Sequence, residues 1–398
     1  VLAVGFLVSM TIGTGSMPGL SGAGPERVER KFPRPCLIPP VPPKKSLPPR
    51  VGGPANPDAQ FRPDSRRDLK SLSAGGGPVH LRILAIRVDF DQDAMDSTET
   101  YFQRLLLFQS EHYRKSSGGK LILEPTLAPR VYRMPDSLAY YGLDDSLGER
   151  QSVLCYDAVR AADADVDYTQ YDQVLVFHAG PGQESDVNND SLEQLWSVFF
   201  RPVDFAFYLP RYGAERGILT DDLRAPGDTV FVPSIAVYPE TEAQDGFVFS
   251  AVGVVCHEFG HAIGLPDLYD TTAPDGYDFA ESQGIGSWDL MSSGTWNANG
   301  FVPAEFSAWC KVFLGWIDPV VITEDADVSL EAVEMNRSTG VVKIPIGGNE
   351  YFLIENRLQD LNGDGRFNFT ENDSSGCFFE PPGSDTLRGL WVRLRMFI

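Results

Sequence analysis

The stretch VVCHEFGHAIGLPD, residues 254–267, combines an apolar helical pattern with three side chains that such a helix rarely carries. His257 and His261 are four positions apart, so on a helix they lie one turn apart on the same face. Glu258 is rotated from His257 by about 100°. Because two histidines and a glutamate are costly to bury without partners, we expect this helix to hold a ligand.

The ligand that this spacing indicates is a zinc ion. Two imidazoles one helical turn apart can bind one Zn²⁺, and a glutamate beside the first can reach a water molecule at the metal. Glu258 would then act as the general base, taking a proton as the water attacks a peptide carbonyl and passing it to the leaving amine. The residues therefore predict one catalytic zinc ion bound by His257 and His261.

A catalytic zinc site needs a third protein ligand. Gly264 permits a sharp turn out of the helix, because glycine tolerates a positive φ, and the turn would bring Asp267 back toward the histidines. Asp267 is therefore the preferred third ligand. Other candidates remain open, namely Glu281 and Glu305 downstream and His178 upstream.

The spacing H-E-x-x-H-x-x-G-x-x-D resembles the metzincin signature, with Asp267 in place of the last histidine. Metzincins also carry a methionine turn beneath the metal. Met291, in the glycine- and serine-rich stretch GSWDLMSSGTW at 286–296, is the candidate for that structural residue. A single methionine usually fills space in an apolar core. The assignment of Met291 to a methionine turn therefore depends only on its position after the histidine motif.

Several stretches resemble the secreted immune inhibitor A-like zinc metallopeptidases. The resemblance spans roughly residues 80–355, and it implies zinc-dependent cleavage of proteins outside the cell by an enzyme made as a zymogen. It also implies that the two histidines and Asp267 bind zinc and that Glu258 is the base. The stretches are VFHAGPGQE (176–184), HEFGHAIGLPDLYD (257–270), GSWDLMSSGTWN (286–297) and PAEFSAWCKVFLGWIDP (303–319).

Strand and helix patterns alternate from residue 76 onward, which predicts an α/β or α+β domain. The resemblance makes this a metzincin-like catalytic domain, with a mixed twisted sheet, an active-site helix and a smaller C-terminal subdomain. The sequence patterns predict helices over 99–117, 149–165 and 248–265, strands over 80–90, 171–180 and 228–238, and a strand pair over 120–134.

The first 75 residues differ in composition from the rest. Residues 1–24 begin with an uncharged apolar run, which is typical of a secretory signal peptide whose basic start is missing; a membrane anchor is the weaker alternative, because the run is short and contains glycine and proline. Residues 25–75 predict a disordered, proline-rich, basic pro-segment or linker. Residues 76–398 would be the metallopeptidase catalytic domain, truncated at its C-terminus.

Charge and composition limit the possible partners. The formal net charge is −22, although residues 26–70 carry eleven Lys or Arg against five Asp or Glu. This excess of negative charge argues against nucleic acid as a partner, and it is typical of a protein that binds cations. We expect protein or peptide substrates, secretion to the extracellular space and no stable membrane insertion, because no later stretch is long and apolar enough to span a bilayer.

A second metal pattern, DLNGDGRFNFTE at 360–371, matches the calcium loop of EF hands. Oxygen donors at this spacing suit a structural Ca²⁺ rather than zinc. The alternative is a solvated turn. Two acidic stretches, at 186–190 and 266–279, are weaker calcium candidates. The predicted loop ligands are Asp360, Asn362, Asp364, Arg366 through its carbonyl, Asn368 and Glu371.

Two alternatives bear on latency and on function. Cys36, in the basic segment, could cap the zinc as a thiolate, but we favour an incidental cysteine because nothing fixes its geometry. The chain could also be a calcium-stabilised extracellular binding or adhesion module derived from a protease. The intact His257, Glu258 and His261 argue against such a module, because it has no use for a base.

Overall fold

The computed structural model of the chain describes residues 9–13, 77–143, 148–269, 284–331, 333, 340–357, 371–372, 377–378 and 391–396. These residues belong to two compact units. The larger unit contains the described residues between 77 and 316, with 371–372 and 377–378. The smaller unit contains the described residues from 317 to 357, with 9–13 and 391–396.

The larger unit alternates strands and helices. Its helices are α1 (Glu99–Ser116), α2 (Leu138–Gly142), α3 (Glu149–Ala162), α4 (Pro202–Tyr208), α5 (Val252–Ala262) and α6 (Ala308–Phe313). Its strands are β2 (Val79–Asp89), β3 (Leu121–Arg133), β4 (Gln173–Pro181), β5 (Val198–Phe200), β6 (Ile218–Ala225), β7 (Asp228–Val232), β8 (Ile235–Thr241), β13 (Glu371–Asn372) and β14 (Cys377–Phe378). Short 3-10 turns occur at Tyr168–Gln170, Gln183–Ser185, Pro210–Tyr212, Gly286–Trp288 and Ser293–Trp296.

A five-stranded sheet in the order β3-β2-β4-β8-β5 is the frame of the larger unit. The first four strands are parallel, and β5 runs antiparallel to β8 at the edge. Strands β4 and β8 are buried on both faces over nearly their whole length, as is usual for parallel strands covered by helices on both sides. The prediction of a mixed α/β fold is confirmed.

The two faces of this sheet fill two separate apolar cores, because successive strand residues point to opposite faces. On β4, Val176 packs into the core that contains Leu154 of α3. Its neighbour Phe177 packs into the core that contains Phe102 of α1 and Phe259 of α5. Helix α5, which carries the histidine motif, therefore lies on the same face of the sheet as α1.

Helix α1 fixes the position of α5 through buried polar contacts. The Gln109 amide donates to the Val255 carbonyl at 2.8 Å, and the Tyr113 hydroxyl donates to the Cys256 carbonyl at 2.6 Å. The Tyr113 ring also contacts Phe259, with 5.1 Å between ring centroids. The two carbonyls directly precede His257 in the chain, so α1 holds the helix immediately before the histidine motif.

Over the predicted strand pair 120–134 the structure has one strand, β3 (Leu121–Arg133), so this prediction is wrong. The strand continues through Pro125 and Pro129. Because β3 is the edge strand of the sheet, proline is tolerated there. The register with β2 shifts between Ala85 and Arg87, and Pro129 lies within that shift.

Two other predicted elements also differ from the structure. The predicted strand over 228–238 is two strands, β7 and β8, which are interrupted at residues 233–234 because Pro233 cannot donate to a ladder. The predicted helix over 248–265 is shorter, since α5 begins at Val252 and ends at Ala262.

The smaller unit contains two three-stranded sheets and a small apolar core. One sheet has the order β12-β11-β9 and the other β1-β15-β10. Leu330, Val342 and Ile344 form the core. Its strands are β1 (Ser9–Gly13), β9 (Val320–Val321), β10 (Ala326–Leu330), β11 (Val341–Gly347), β12 (Glu350–Glu355) and β15 (Trp391–Met396).

Several predicted features fall largely outside the described residues. Within the predicted signal segment 1–24, only β1 is described, and nothing in 25–75 is. The predicted calcium loop at 360–371 lies outside the described residues except for Glu371, which begins β13. Among the helices that the structure describes, none has the length and apolar character that crossing a membrane requires.

Candidate metal centre

Helix α5 ends in a glycine turn that reverses the chain. Gly264 has a φ of +99°, a conformation that favours glycine. The Gly264 N–H donates to the His261 carbonyl and the Leu265 N–H to the Gly260 carbonyl, both at 3.0 Å. These bonds form a Schellman motif, which satisfies the last carbonyls of the helix. The turn explains how Asp267 returns to the face that carries the histidines.

The turn brings three donor atoms together. The Asp267 Oδ1 atom lies 3.2 Å from Nε2 of His257 and 3.4 Å from Nε2 of His261. The ligand atoms of the three residues all lie within 4.8 Å of one another. Nε2 of His257 and Oδ1 of Asp267 are buried, and neither makes a hydrogen bond of acceptable geometry.

This donor set fits a tetrahedral zinc ion. Ligand atoms about 2.0–2.1 Å from zinc at tetrahedral corners are about 3.3–3.4 Å apart, close to the two distances between Asp267 and the histidines. Three nitrogen and oxygen ligands leave a fourth position open, as in catalytic zinc sites. A cation there would also satisfy the two buried atoms that otherwise have no partner.

Backbone carbonyls orient both imidazoles. Nδ1 of His257 lies 2.7 Å from the Leu290 carbonyl oxygen, and Nδ1 of His261 lies 2.8 Å from that of Leu265. Because a carbonyl only accepts hydrogen bonds, each Nδ1 carries the hydrogen and each Nε2 presents its lone pair. The Thr295 hydroxyl donates to the same Leu290 carbonyl at 2.7 Å.

Asp267 is held in its ionised form. Burial acts to raise its pKa, but the influence of the adjacent His261 and His257 outweighs burial and holds the pKa below its ordinary value. An ionised carboxylate is the form that binds a metal.

Glu258 is buried beside the two histidines. Its Oε2 lies 4.0 Å from Nε2 of His261, and its buried Oε1 has no hydrogen-bond partner among the described residues. Burial raises the pKa of Glu258 to about 8, against the attraction of His257. The Phe199 backbone N–H, on the edge strand β5, donates a hydrogen bond to this glutamate.

Met291 is fully buried directly under α5. A Cβ atom at Gly260 would lie 2.3 Å from the Met291 sulfur, so the helix can approach this closely only with glycine there. The Met291 carbonyl accepts from the Leu268 N–H at 2.8 Å, which ties the methionine turn to the segment that carries Asp267. Buried Asp289 accepts from the Met291 and Ser307 N–H groups, each at 2.6 Å.

Of the other candidate ligands, Glu305 and His178 do not join this group. Glu305 accepts from the Phe306 N–H at 3.1 Å and pairs with Lys311 at 3.6 Å. His178 is buried on β4, where its Nδ1 bonds the Ala179 carbonyl, and burial lowers its pKa to about 4. Glu281 lies outside the described residues.

The sequence analysis did not identify two residues, Thr295 and Asp289, that contact the segments forming this centre. Thr295 and Asp289 both lie in the stretch that was considered only for Met291. An aspartate two positions before the methionine and a threonine four positions after it were the available signals. Thr295 contacts His257, 38 residues away, and Asp289 accepts from the Ser307 N–H, 18 residues away, and no local pattern reveals such contacts.

One of the weaker calcium candidates, 186–190, lies entirely within the described residues. Carboxylates of Asp186, Asp190 and Asp245 lie within 4.8 Å of one another. Asp186 accepts hydrogen bonds from the backbone N–H groups of Asp190 and Ser191, so the group also has a structural role as a loop. The acidic residues at 270–278 lie outside the described residues.

Comparison with known proteins identifies relatives. Residues 170–316 match the family described as "Immune inhibitor A peptidase M6, catalytic domain", and residue 316 is also where the chain leaves the larger unit. Over 242 residues the chain is 28% identical to Immune inhibitor A of Bacillus thuringiensis subsp. alesti, covering 51% of this chain and 31% of that protein. Over 233 residues it is 27% identical to Pre-pro-metalloprotease PrtV of Vibrio cholerae serotype O1 (strain M66-2), covering 51% and 23%. The chain thus spans less than a third of either relative.

Substitution of Gly253 tests the packing of α5 on the methionine turn. A Cβ atom at this position would lie 2.0 Å from the Thr295 carbonyl oxygen. We expect Gly253→Ala to lower the free energy of unfolding by about 1–3 kcal/mol, because the helix and the turn must separate. Urea denaturation measures this change. The control is Gly347→Ala, where a Cβ meets nothing within 4 Å. Equal stability of the two variants would contradict the packing described here.

Proposed function

We propose that this chain, which belongs to the immune inhibitor A family of M6 peptidases through residues 170–316, is a zinc-dependent endopeptidase acting on proteins. The observation that carries the proposal is the convergence of His257, His261 and Asp267 on one point, with Glu258 beside them. The Vibrio relative is itself named a metalloprotease.

His257, His261 and Asp267 would hold the zinc ion. When bound there, zinc supplies a Lewis acid that activates water and polarises the scissile carbonyl. The Nδ1 hydrogens of both histidines are committed to the Leu290 and Leu265 carbonyls, so their Nε2 lone pairs remain directed at the ligand position. Asp267 would contribute the only negative charge among the three ligands. Zn²⁺ with these ligands would therefore keep a net positive charge, which attracts an attacking oxygen.

Glu258 is the general base in this proposal. Among the described residues its Oε1 has no hydrogen-bond partner, so it can accept the proton of the attacking water. The same carboxyl can then deliver that proton to the amine that leaves. Burial raises the pKa of Glu258 toward neutrality, where a group can both take up and release a proton.

Secretion and synthesis as a zymogen are further parts of the proposal. They are supported by the apolar run within residues 1–24, by the proline-rich basic segment 25–75 that precedes the catalytic domain 76–398, and by the name Pre-pro-metalloprotease of the Vibrio relative. A structural Ca²⁺ at residues 360–371 rests on the residue pattern alone.

Replacing the base tests the proposed reaction. We expect Glu258→Gln to lower the rate of casein hydrolysis by about 10²–10⁴-fold, because an amide cannot accept the proton. Bound zinc should stay at one ion per chain, since the three ligands are unchanged. Hydrolysis rates and elemental analysis of the same preparations measure both quantities.

The control for this substitution is Glu193→Gln, an exposed glutamate that should leave both quantities unchanged. Undiminished hydrolysis by the Glu258→Gln protein would rule out Glu258 as the base. A zinc-loaded parent chain that cleaves no protein would rule out the proposed activity.

Replacing Asp267 tests the third ligand. Asp267→Ala should weaken zinc binding by about a hundredfold or more, because one of three protein ligands is lost. Competition with a chromophoric chelator measures the affinity. Asp91→Ala is the matched control, since the Asp91 side chain is 95% exposed. Full zinc affinity in Asp267→Ala would instead assign the third ligand to Glu281 or Glu305.

A further inference from the structure

Two glutamates that are not zinc ligands lie buried where two central strands end. Glu184 is in the 3-10 turn after β4, and Glu242 directly follows β8. Both are almost completely buried. Strands β4 and β8 are parallel neighbours, so the two side chains leave the same edge of the sheet. In open α/β sheets this is the edge at which functional groups gather.

Ser197 holds the Glu184 carboxyl. The Ser197 backbone N–H lies 3.2 and 3.3 Å from the two oxygens, and the Ser197 hydroxyl donates to Oε1. The carboxyl lies over Gly182, where a Cβ atom would be 2.7 Å from the Glu184 Cδ. Glu184 therefore has the donors that an ionised carboxylate needs.

Glu242 has no such donors. Its carboxyl is within hydrogen-bonding reach of Glu184, yet neither of its oxygens meets an N–H or O–H donor in acceptable geometry among the described residues. The Ser185 hydroxyl is close, but it donates to the Gly182 carbonyl at 3.0 Å.

Two ionised carboxyls in contact and out of water repel each other, and one shared proton removes the repulsion. The proton belongs on Glu242, because Glu184 already accepts from Ser197. Burial and the charge of Glu184 raise the pKa of Glu242 well above its ordinary value. Protonated Glu242 can then donate to Glu184, which removes the repulsion and gives one Glu242 oxygen a hydrogen-bond partner.

The contact between Glu184 and Ser197 is connected through strand β5 to Glu258, the proposed base. Ser197 immediately precedes β5, and the Phe199 N–H of β5 donates to Glu258. Strand β5 has only three residues and pairs on one side with β8. The hydrogen bonds from Ser197 to Glu184 therefore fix the start of the strand that contacts the base.

We propose that Glu242 is a positioning residue that keeps its proton at neutral pH and donates it in a hydrogen bond to ionised Glu184. Glu184 in turn holds Ser197, and with it the strand that contacts Glu258. The activity measurement for this inference rests on the proposed peptidase function, whereas the protonation of Glu242 can be measured without it.

The activity test compares two variants of the full chain. Glu242→Gln keeps a donor, since its amide N–H can replace the acid O–H, and we expect kcat/KM on casein within about twofold of the parent. Glu242→Ala removes the donor and should lower kcat about tenfold, as for the loss of a hydrogen bond to a charged group. If Gln is as damaging as Ala, Glu242 acts as an ionised group, and the inference is wrong.

Infrared spectroscopy tests the proton directly. At neutral pH the parent should show the carbonyl stretching band of a buried carboxylic acid, and the difference spectrum against Glu242→Gln should contain that band. No band in this difference spectrum would overturn the inference, whether or not the chain cleaves proteins. A zinc-loaded chain that lacks peptidase activity but shows the band would refute only the proposed function.

The pH dependence of stability gives a second check. Because the fold favours protonated Glu242, its contribution to stability is complete at low pH and is lost as pH rises through its raised pKa. The Tm of the parent minus that of Glu242→Gln should therefore fall as pH rises. The titratable groups that interact with the pair, namely Tyr101 with Glu242 and Glu258 with Glu184, are common to both proteins. A difference that does not change with pH would contradict the inference.

Discussion

Two hydrogen bonds, from Nδ1 of His257 to the Leu290 carbonyl and from Nδ1 of His261 to the Leu265 carbonyl, are the constraint on which the rest of the site depends. They keep both Nε2 lone pairs directed at one point inside a buried site. The carbonyls come from the methionine turn and from the turn at Gly264, so both turns must be in place before the histidines can act together. The second turn also delivers Asp267 to the same point.

Helix α5 is therefore held by contacts from several elements, and each contact fixes the position of part of the site. Helix α1 bonds its carbonyls just before the first histidine. The methionine turn packs against it so closely that Gly253 and Gly260 leave no room for a side chain. Strand β5 reaches Glu258 through the Phe199 N–H. Such preorganisation is what a catalytic metal site requires, because ligands that move lose both affinity and geometry.

The sequence predicted what depends on local geometry. The relation between His257, Glu258 and His261 follows from the helical period, and the return of Asp267 follows from Gly264. Other features depend on contacts between segments far apart in the chain, so no local pattern predicts them. They are the position of α5 on the sheet, its hydrogen bonds with Gln109 and Tyr113, and the proximity of Glu184 to Glu242. The error at β3 has the same origin, because Pro125 and Pro129 are acceptable only at the edge of a sheet.

X-ray absorption at the zinc edge of the purified chain tests the metal centre most directly. We expect two imidazole nitrogens and a carboxylate oxygen among the ligands, with nitrogen and oxygen at about 2.0–2.2 Å. The multiple-scattering pattern of imidazole counts the histidines independently of any activity. Fewer than two imidazoles, or sulfur at about 2.3 Å in place of the oxygen, would contradict a site built from His257, His261 and Asp267.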